Sequence, residues 1–288
     1  MNKITNYKYI QDIIIKQRAY REGLITNFYL NEERCNFLIK KNYLFLQEYE
    51  KCSFILFKED DFYHLYYIAV SNERLDNALK ILMKNYPEVK FVTDIVGSDA
   101  VITEFSKLFE LYGFEKYSKL FRMSRIKKDE SNMESDFRIE YATPVWANQI
   151  KNILNIYFDK YSEQIPLSEE IDQWIVDKRI IGILEKDSII GFVIFEINGL
   201  TSHLRYWFVA PEYRDKKIGS ALLKRFFYEC RNTKRELFWV IESNENAITR
   251  YEHYGFRSEP LFDQVLIKRH NNKINETANH RNSHRVAS

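Results

Sequence analysis

The sequence lacks three features that would each place the protein in a different class. Only three of its 288 residues are cysteines (Cys35, Cys52 and Cys230), and they have no metal-binding spacing. We therefore expect reduced thiols in the core of a cytoplasmic protein. No apolar run approaches the ~20 residues that cross a bilayer, and the start of the chain predicts an amphipathic helix, not a secretory signal. The formal net charge of +2 does not indicate nucleic acid as the main partner. Metal, membrane and nucleic-acid functions are not expected.

The sequence does contain enough apolar material for a large core. Apolar residues make up 45% of the chain and charged residues 29%, which suits one large soluble domain or two ordinary ones. Leu204–Val209 reads as a strand, and apolar residues recur at helical spacing from Ala221 onward. The loop between them opens onto the helix N-terminus, whose free amides and dipole suit an anion. Gly219 lets a phosphate approach the backbone. The cations of the loop are Arg214, Lys216 and Lys217. We predict a diphosphate site here.

A second element follows at a fitting distance. Leu237–Ile241 has the composition of a buried strand, and a helix from Asn244 is ended by Gly255. Together the two elements resemble the Gcn5-related N-acetyltransferase (GNAT) superfamily. The loop Arg214-Asp215-Lys216-Lys217-Ile218-Gly219 matches the family's Arg/Gln-x-x-Gly-x-Gly/Ala motif, except that Lys217 stands where the first glycine is usual. The family's Asn-x-x-Ala-x-x-x-Tyr-x-x-x-Gly-Phe motif is matched by Asn244, Ala247, Tyr251, Gly255 and Phe256. The clear resemblance covers residues 137–270.

The resemblance implies that acetyl-CoA is the co-substrate and lies between two splayed parallel strands. A backbone N–H near Phe208 or Val209 would bind the thioester carbonyl. Asn244 would hold the pantetheine or cap its helix, and both roles remain open. The residues expected to bind acetyl-CoA are Phe208, Val209, Arg214, Asp215, Lys216, Lys217, Ile218, Gly219, Ser220, Asn244 and Ala247.

Direct transfer to an amine needs a base for the amine and an acid for the departing thiolate. By motif position Tyr251 would be the acid; a core tyrosine is the alternative. Many GNAT enzymes use a glutamate on the strand before the loop, but the segment Ser202–Trp207 contains no carboxylate. His203 is our candidate base because of its intrinsic pKa, and Glu242 is a weaker one. Arg205 and Tyr206 are possible acceptor ligands or surface residues.

The first half of the chain repeats the order of the second. Phe109–Phe114 aligns with Tyr251–Phe256, and Tyr67–Val70 resembles Tyr206–Val209. We therefore predict an α/β fold of two tandem GNAT-like units, each with a mixed, mostly antiparallel sheet flanked by helices; chance similarity of two α/β units remains open. The predicted domains are 1–125 and 137–270, with a linker at 126–136 and a disordered tail at 271–288.

The first unit is expected to be catalytically silent. Phe109 stands where Tyr251 stands and has no hydroxyl proton to donate. The connection from Val70 to Ala78 is several residues shorter than that from Val209 to Ala221, and the missing residues would form the phosphate loop. We therefore expect one CoA per chain.

Three functions fit these observations. The first is acetyl transfer from acetyl-CoA to an amine of a small molecule, amino sugar or peptide. The second is an aminoacyl-tRNA-dependent transferase of the tandem-GNAT type, which the intact diphosphate loop and low net charge disfavour. The third is a non-catalytic CoA-binding or sensing protein, which the missing glutamate favours and Tyr251 disfavours. Nothing in the sequence names the acceptor.

Overall fold

The computed structural model describes residues 1–126 and 136–270, so most of the predicted linker and the whole predicted tail lie outside the described residues. The described residues contain strands and α-helices in a mixed α/β arrangement, as predicted. The strands are β1 Asn2–Lys3, β2 Ile25–Thr26, β3 Leu44–Tyr49, β4 Cys52–Lys58, β5 Tyr63–Ala69, β6 Phe91–Gly97, β7 Glu115–Ile126, β8 Glu140–Tyr141, β9 Ile180–Glu185, β10 Ser188–Asn198, β11 Thr201–Val209, β12 Arg235–Ile241 and β13 Arg257–Lys268. The α-helices are α1 Tyr7–Arg18, α2 Glu32–Lys40, α3 Asn72–Asn85, α4 Asp99–Glu110, α5 Ala147–Tyr157, α6 Ser168–Val176, α7 Ile218–Glu229 and α8 Glu245–His253.

The chain divides into two compact units. Unit 1 comprises Met1–Leu120 together with the segment from Pro260 onward, and unit 2 comprises Phe121–Glu259. In unit 1 the strand order is β1-β3-β4-β5-β6-β13-β7, with β2 paired to β5. In unit 2 it is β7-β12-β11-β10-β9-β8. The pairs β5–β6 and β11–β12 are parallel, whereas β3–β4, β4–β5, β6–β13, β8–β9, β9–β10 and β10–β11 are antiparallel. Each sheet is thus mixed and mostly antiparallel, as predicted. The predicted domain boundaries, 1–125 and 137–270, stay a prediction.

The sequence also predicts three strands that differ from the structure: Phe114–Tyr117, Lys119–Arg125 and Phe137–Tyr141. The expected strand pair Phe114–Tyr117 and Lys119–Arg125 is one continuous strand, β7. Ser118 between them makes no turn, because its carbonyl accepts a hydrogen bond from the Gln264 side chain at 3.0 Å within the sheet. The strand expected at Phe137–Tyr141 is shorter: only Glu140 and Tyr141 pair with β9.

The core of unit 2 has two parts. The α7/α8 core, centred on Leu222, Phe226 and Phe238, lies beneath helices α7 and α8. The α5/α6 core contains Ile150 of α5, Ile171 of α6 and Phe208 of β11. Side chains of neighbouring β11 residues enter different cores, so the strand is packed from both sides.

The cysteines behave as predicted for core residues. Cys35, Cys52 and Cys230 are free thiols and are buried. Burial raises the pKa of each to about 12. Such thiols remain protonated and unreactive at neutral pH. Within residues 1–126 and 136–270, no helix combines the length and the apolar character needed to cross a membrane.

Each unit contains one parallel strand pair that separates after a short ladder. In unit 1 the register of β5 and β6 runs from Tyr63–Phe91 to His64–Val92. In unit 2 the register of β11 and β12 runs from Thr201–Arg235 to His203–Leu237. Beyond these points the two strands of each pair are no longer paired. We call the gap between them the wedge of that unit, and backbone groups lie on its walls.

The wedge of unit 1 is filled by the chain itself. The Asn27 side-chain amide donates to the Leu65 carbonyl at 3.2 Å, and to the Asp94 carbonyl and the Thr93 hydroxyl at 3.0 Å. The Asn27 side-chain oxygen accepts the Tyr67 N–H at 2.7 Å. Asn27 is buried and follows β2 directly, so β2 holds it between β5 and β6.

Candidate active site

The wedge of unit 2 is shaped by an irregularity in β11. Ile194 of β10 opposes Tyr206, but the next residue, Phe195, opposes Leu204, so Arg205 is an extra residue on β11. Such a bulge turns the following side chains over. Tyr206 therefore enters the α5/α6 core, although Leu204 enters the α7/α8 core.

The direction of the β11 amides follows from one hydrogen bond. Ala210 N–H donates to the Ile190 carbonyl of β10 at 2.9 Å. In an antiparallel pair, alternate residues bond to the same neighbour. The Phe208 amide therefore points toward β10, and the Val209 amide points the other way, into the wedge. Of the two predicted carbonyl ligands, Val209 has the suitable orientation.

The loop after β11 ends in a helix N-terminus with unused amides. Lys217 is the N-cap of α7, and its φ of 62° is left-handed. This explains why glycine is usual at that position of the motif, since other residues are strained there. Ala221 N–H donates to the Lys217 carbonyl at 3.0 Å and is the first amide inside the helix ladder. The amides that precede it belong to Ile218, Gly219 and Ser220 and have no intrahelical acceptor.

Gly219 has a packing role in addition to the predicted one. A Cβ atom built on Gly219 would lie 3.0 Å from the Trp207 ring and 3.5 Å from the Val209 side chain. Any side chain here would press on the wall of the wedge. Ser220 contributes its hydroxyl to a hydrogen bond of 2.5 Å with the Tyr254 hydroxyl, which ties α7 to the end of α8.

Helix α8 has the predicted start and end. The Asn244 side chain accepts the Ala247 N–H at 3.2 Å, so the capping role of Asn244 is observed. Gly255 has φ 88°, and Phe256 N–H donates to the Tyr251 carbonyl at 3.1 Å, the pattern of a helix end with a left-handed glycine. Unit 1 repeats this ending at Gly113, where Phe114 N–H donates to the Phe109 carbonyl. The predicted internal repeat thus has a structural counterpart.

Tyr251 lies between aromatic rings beside the wedge. Its ring centroid is 4.0 Å from that of Phe238 on β12 and 5.5 Å from that of Trp207 on β11. Burial, and next the charge of Glu163, raise the pKa of Tyr251. Within the part of the chain that the structure describes, its hydroxyl has no hydrogen-bond partner. The group is therefore a protonated, available donor at neutral pH.

These elements, taken in chain order, match a known family. Residues 147–256 match the model of the Acetyltransferase (GNAT) family. This segment is a GNAT acetyltransferase domain. No curated protein matches the chain. The GNAT fold is shared with a GCN5-related N-acetyltransferase from Sphaerobacter thermophilus (TM-score 0.57, 14% identity, 76% of this chain and 76% of that chain).

Two further solved structures bear on the repeat. A tandem GNAT protein from the clavulanic acid biosynthesis pathway is similar over 75% of this chain and 78% of that chain (TM-score 0.54, 11% identity). A GNAT-family acetyltransferase from Colwellia psychrerythraea is similar over 93% of this chain and 98% of that chain (TM-score 0.53, 12% identity). These likenesses concern the fold, and they support two tandem GNAT-like units.

His203, the predicted base of the GNAT domain, lies at the last paired position of β11 and β12. Burial, and next the charges of Arg205 and Arg122, lower the pKa of His203 to about 3. An imidazole with this pKa is neutral at pH 7 but has little affinity for a proton. Its role as the base stays a prediction, which this pKa disfavours. Glu242, the weaker candidate, is exposed after β12.

The sequence analysis missed Glu163, which lies in the connection between α5 and α6. Burial raises the pKa of its carboxyl to about 7, although a hydrogen bond from the Asp159 N–H at 2.7 Å opposes the shift. The Tyr206 hydroxyl donates to the backbone carbonyls of Glu163 and Gln164, both at 2.8 Å. Tyr206 is therefore a buried anchor for this connection, not a surface residue. No motif or periodicity marks Glu163 in the sequence.

The described part of the GNAT domain and of unit 1 contains no group of three or more histidine, cysteine, aspartate or glutamate side chains placed to hold a metal ion.

Proposed function

We propose that the GNAT domain transfers an acetyl group from acetyl-CoA to an amine of a small molecule, amino sugar or peptide, by direct attack of the amine. The single observation that carries the proposal is the open wedge of unit 2, which has the Val209 amide on one wall and leads to the free amides of α7. Membership of residues 147–256 in the GNAT family supports an N-acyltransferase; the acetyl donor and the amine acceptor are our inference.

The residues present fit the parts of acetyl-CoA. The amides of Ile218, Gly219 and Ser220 point out of the α7 N-terminus and suit a diphosphate. Arg214, Lys216 and Lys217 add positive charge beside them, and among the described residues no carboxylate lies within ion-pair distance of these three side chains. We assign the pantetheine arm to Val209, Phe208, Ala247 and Asn244, as the sequence predicts. Asp215 has a left-handed φ of 62° that turns the loop.

The chemistry then needs little from the protein besides placement and proton transfer. The bound thioester supplies an activated acyl group. The Val209 N–H would donate to the carbonyl oxygen as negative charge grows on it. The Tyr251 hydroxyl would give its proton to the departing sulfur. The raised pKa means that this hydroxyl is protonated at neutral pH before transfer begins.

We further propose that each chain holds one acetyl-CoA. In unit 1 the wedge already contains the Asn27 side chain. Helix α3 starts at Asn72, close after the end of β5 at Ala69, and its N-cap Ser71 uses its own hydroxyl to satisfy the Arg74 amide. In the described part of unit 1, the wedge is therefore occupied and one of the amides at the start of α3 is already satisfied, which disfavours a second ligand. Calorimetric titration with acetyl-CoA should give a stoichiometry near one.

The test of transfer combines thiol release with one variant. The protein is mixed with acetyl-CoA and a panel of primary amines, and free thiol is followed. Tyr251→Phe keeps the ring and its packing, so kcat should fall ~10²–10⁴-fold while the Kd for acetyl-CoA stays the same. Tyr228→Phe, on α7, is the matched control and should behave as wild type.

Two outcomes would contradict the proposal. If Tyr251→Phe turns over at the wild-type rate, the acid is misassigned. If the wild type binds acetyl-CoA but releases no thiol with any amine, the chain is a CoA-binding or sensing protein. Two observations favour that second candidate: β11 has no carboxylate, and the pKa of His203 is low.

A further inference from the structure

Glu163 and Tyr251 belong to opposite sides of the sheet of unit 2. The connection that carries Glu163 is anchored by Tyr206, whose ring lies in the α5/α6 core. Tyr251 packs against the α7/α8 core. The charge of Glu163 nevertheless acts on the Tyr251 hydroxyl. Tyr206 and Trp207 are neighbours on β11 beyond His203, the last residue paired with β12. The Tyr206 hydroxyl holds the connection that carries Glu163, and the Trp207 ring contacts that of Tyr251, so both groups lie beside the unpaired part of β11.

The Glu163 carboxyl is held in place by a compact turn. Glu163 N–H donates to the Asp159 carbonyl at 2.9 Å, and Asp159 N–H donates to Oε2 of Glu163 at 2.7 Å. The Asp159 side chain accepts the amides of Tyr161 and Ser162 at 3.0 and 2.8 Å, which closes the turn. Within the described residues, Oε1 of Glu163 has no hydrogen-bond partner. One oxygen is therefore fixed and the other is free for a ligand.

We propose that Glu163 is the catalytic base that removes the proton of the acceptor amine. The proposal rests on the proposed function and assigns the acceptor and the leaving group to opposite sides of the sheet. The amine nitrogen forms a bond to the thioester carbonyl carbon, and the carbon–sulfur bond breaks. The ammonium form of the acceptor first gives one proton to Oε1 of Glu163, which releases it to solvent. During transfer a second proton passes from nitrogen to Oε1 of Glu163, and one passes from the Tyr251 hydroxyl to sulfur. Return of the proton from Glu163 to the tyrosinate, directly or through water, restores both groups.

The properties of Glu163 suit this role better than those of His203. A base works best when its pKa lies near the working pH, and burial places that of Glu163 at about 7. The titratable residues with an interaction with Glu163 in the described structure are Asp159 from its own turn, Tyr206 from β11 and Tyr251 from α8. As a carboxylate, Glu163 also attracts a protonated amine. The acceptor class is therefore a basic primary amine that arrives as an ammonium ion.

The experiment compares the pH dependence of thiol release in wild type, Glu163→Gln and His203→Asn. In the wild type, kcat/KM should rise with pH through an inflection near 7. Glu163→Gln should remove this inflection and lower the rate at pH 7 by ~10²–10⁴-fold, with recovery at high pH where the amine is already neutral. The glutamine oxygen can still accept the Asp159 N–H, so the turn is retained. His203→Asn should keep the inflection.

Controls separate this proposal from the proposed function. Glu169→Gln, an exposed change on α6, should have the wild-type profile, and acetyl-CoA should bind Glu163→Gln with unchanged Kd. A wild-type rate and inflection in Glu163→Gln would overturn the assignment of the base while leaving the transferase intact. A wild type that releases no thiol with any amine would overturn both. A carboxyl-carbon NMR titration offers a readout without turnover, and a Glu163 pKa below 5 would also refute the proposal.

Discussion

Asn27 offers a quantitative test of the filled wedge in unit 1. In Asn27→Ala, the Leu65 carbonyl keeps its hydrogen bond from the Thr93 hydroxyl at 2.8 Å, so both groups remain hydrogen-bonded. The Tyr67 N–H and the Asp94 carbonyl lose their bonds to the side chain. Each buried polar group that loses a hydrogen bond in this way costs ~1–3 kcal/mol. The free energy of unfolding should therefore fall by ~2–6 kcal/mol.

Urea denaturation followed by circular dichroism measures this loss. Asn31→Ala is the matched control, because Asn31 makes a single capping bond to the Arg34 N–H at the start of α2. It should cost ~1 kcal/mol. Asn27→Asp, of nearly the same shape, should be worse than Asn27→Ala, since its carboxylate loses the donor bonds to three acceptors and places a charge in a buried site.

The reasoning would be refuted if Asn27→Ala cost no more than Asn31→Ala, because the wedge would then be able to satisfy its own backbone. The stoichiometry of acetyl-CoA binding should remain near one in folded Asn27→Ala, since the variant opens the wedge without supplying a phosphate loop. A stoichiometry of two would show that unit 1 contains a second acetyl-CoA site.

Two further predictions concern the GNAT domain. Lys217→Gly should relieve the left-handed backbone and raise the unfolding free energy by up to about 1 kcal/mol, while lowering acetyl-CoA affinity in calorimetry because a cation is lost; unchanged affinity would remove Lys217 from the site. Burial alone would raise the pKa of Glu259, but hydrogen bonds from Ser124, Arg235 and Arg122 outweigh burial and lower it. Glu259→Gln should therefore reduce stability toward urea at pH 7, and the difference from wild type should shrink as pH falls below the ordinary glutamate range; a constant difference down to pH 3 would contradict this linkage.

The parts of the fold that were predictable depend on local signals. Asn244, Tyr251 and Gly255 mark a short helix through a cap, an apolar stripe and a left-handed ending, all of which act within a few residues. The same holds for the Lys217 to Gly219 loop. These features can be recognised in the sequence because each residue interacts with residues close to it in the chain.

The parts that were missed depend on contacts between distant segments. The strand β2 has two residues and no detectable periodicity, so nothing in the sequence connects Asn27 with Thr93 or Tyr67. The sequence predicts a strand pair interrupted at Ser118, because the Gln264 side chain that holds the Ser118 carbonyl within the sheet comes from a distant part of the chain. The elevated pKa of Glu163 is likewise a product of burial, which no local pattern records.

Because unit 1 is built from two separate segments of the chain, it cannot be completed until late in synthesis. The edge of β6 is completed by residues Phe262–Lys268 of β13, which leave the ribosome after the whole GNAT domain has been made. The N-terminal unit, although translated first, must wait with an open parallel-strand edge until the last strand arrives. Such long-range closure is slow and exposes a surface that can pair wrongly. In chains truncated before β13, unit 1 would therefore lose its folded structure before unit 2 does, although unit 1 begins to be synthesised first.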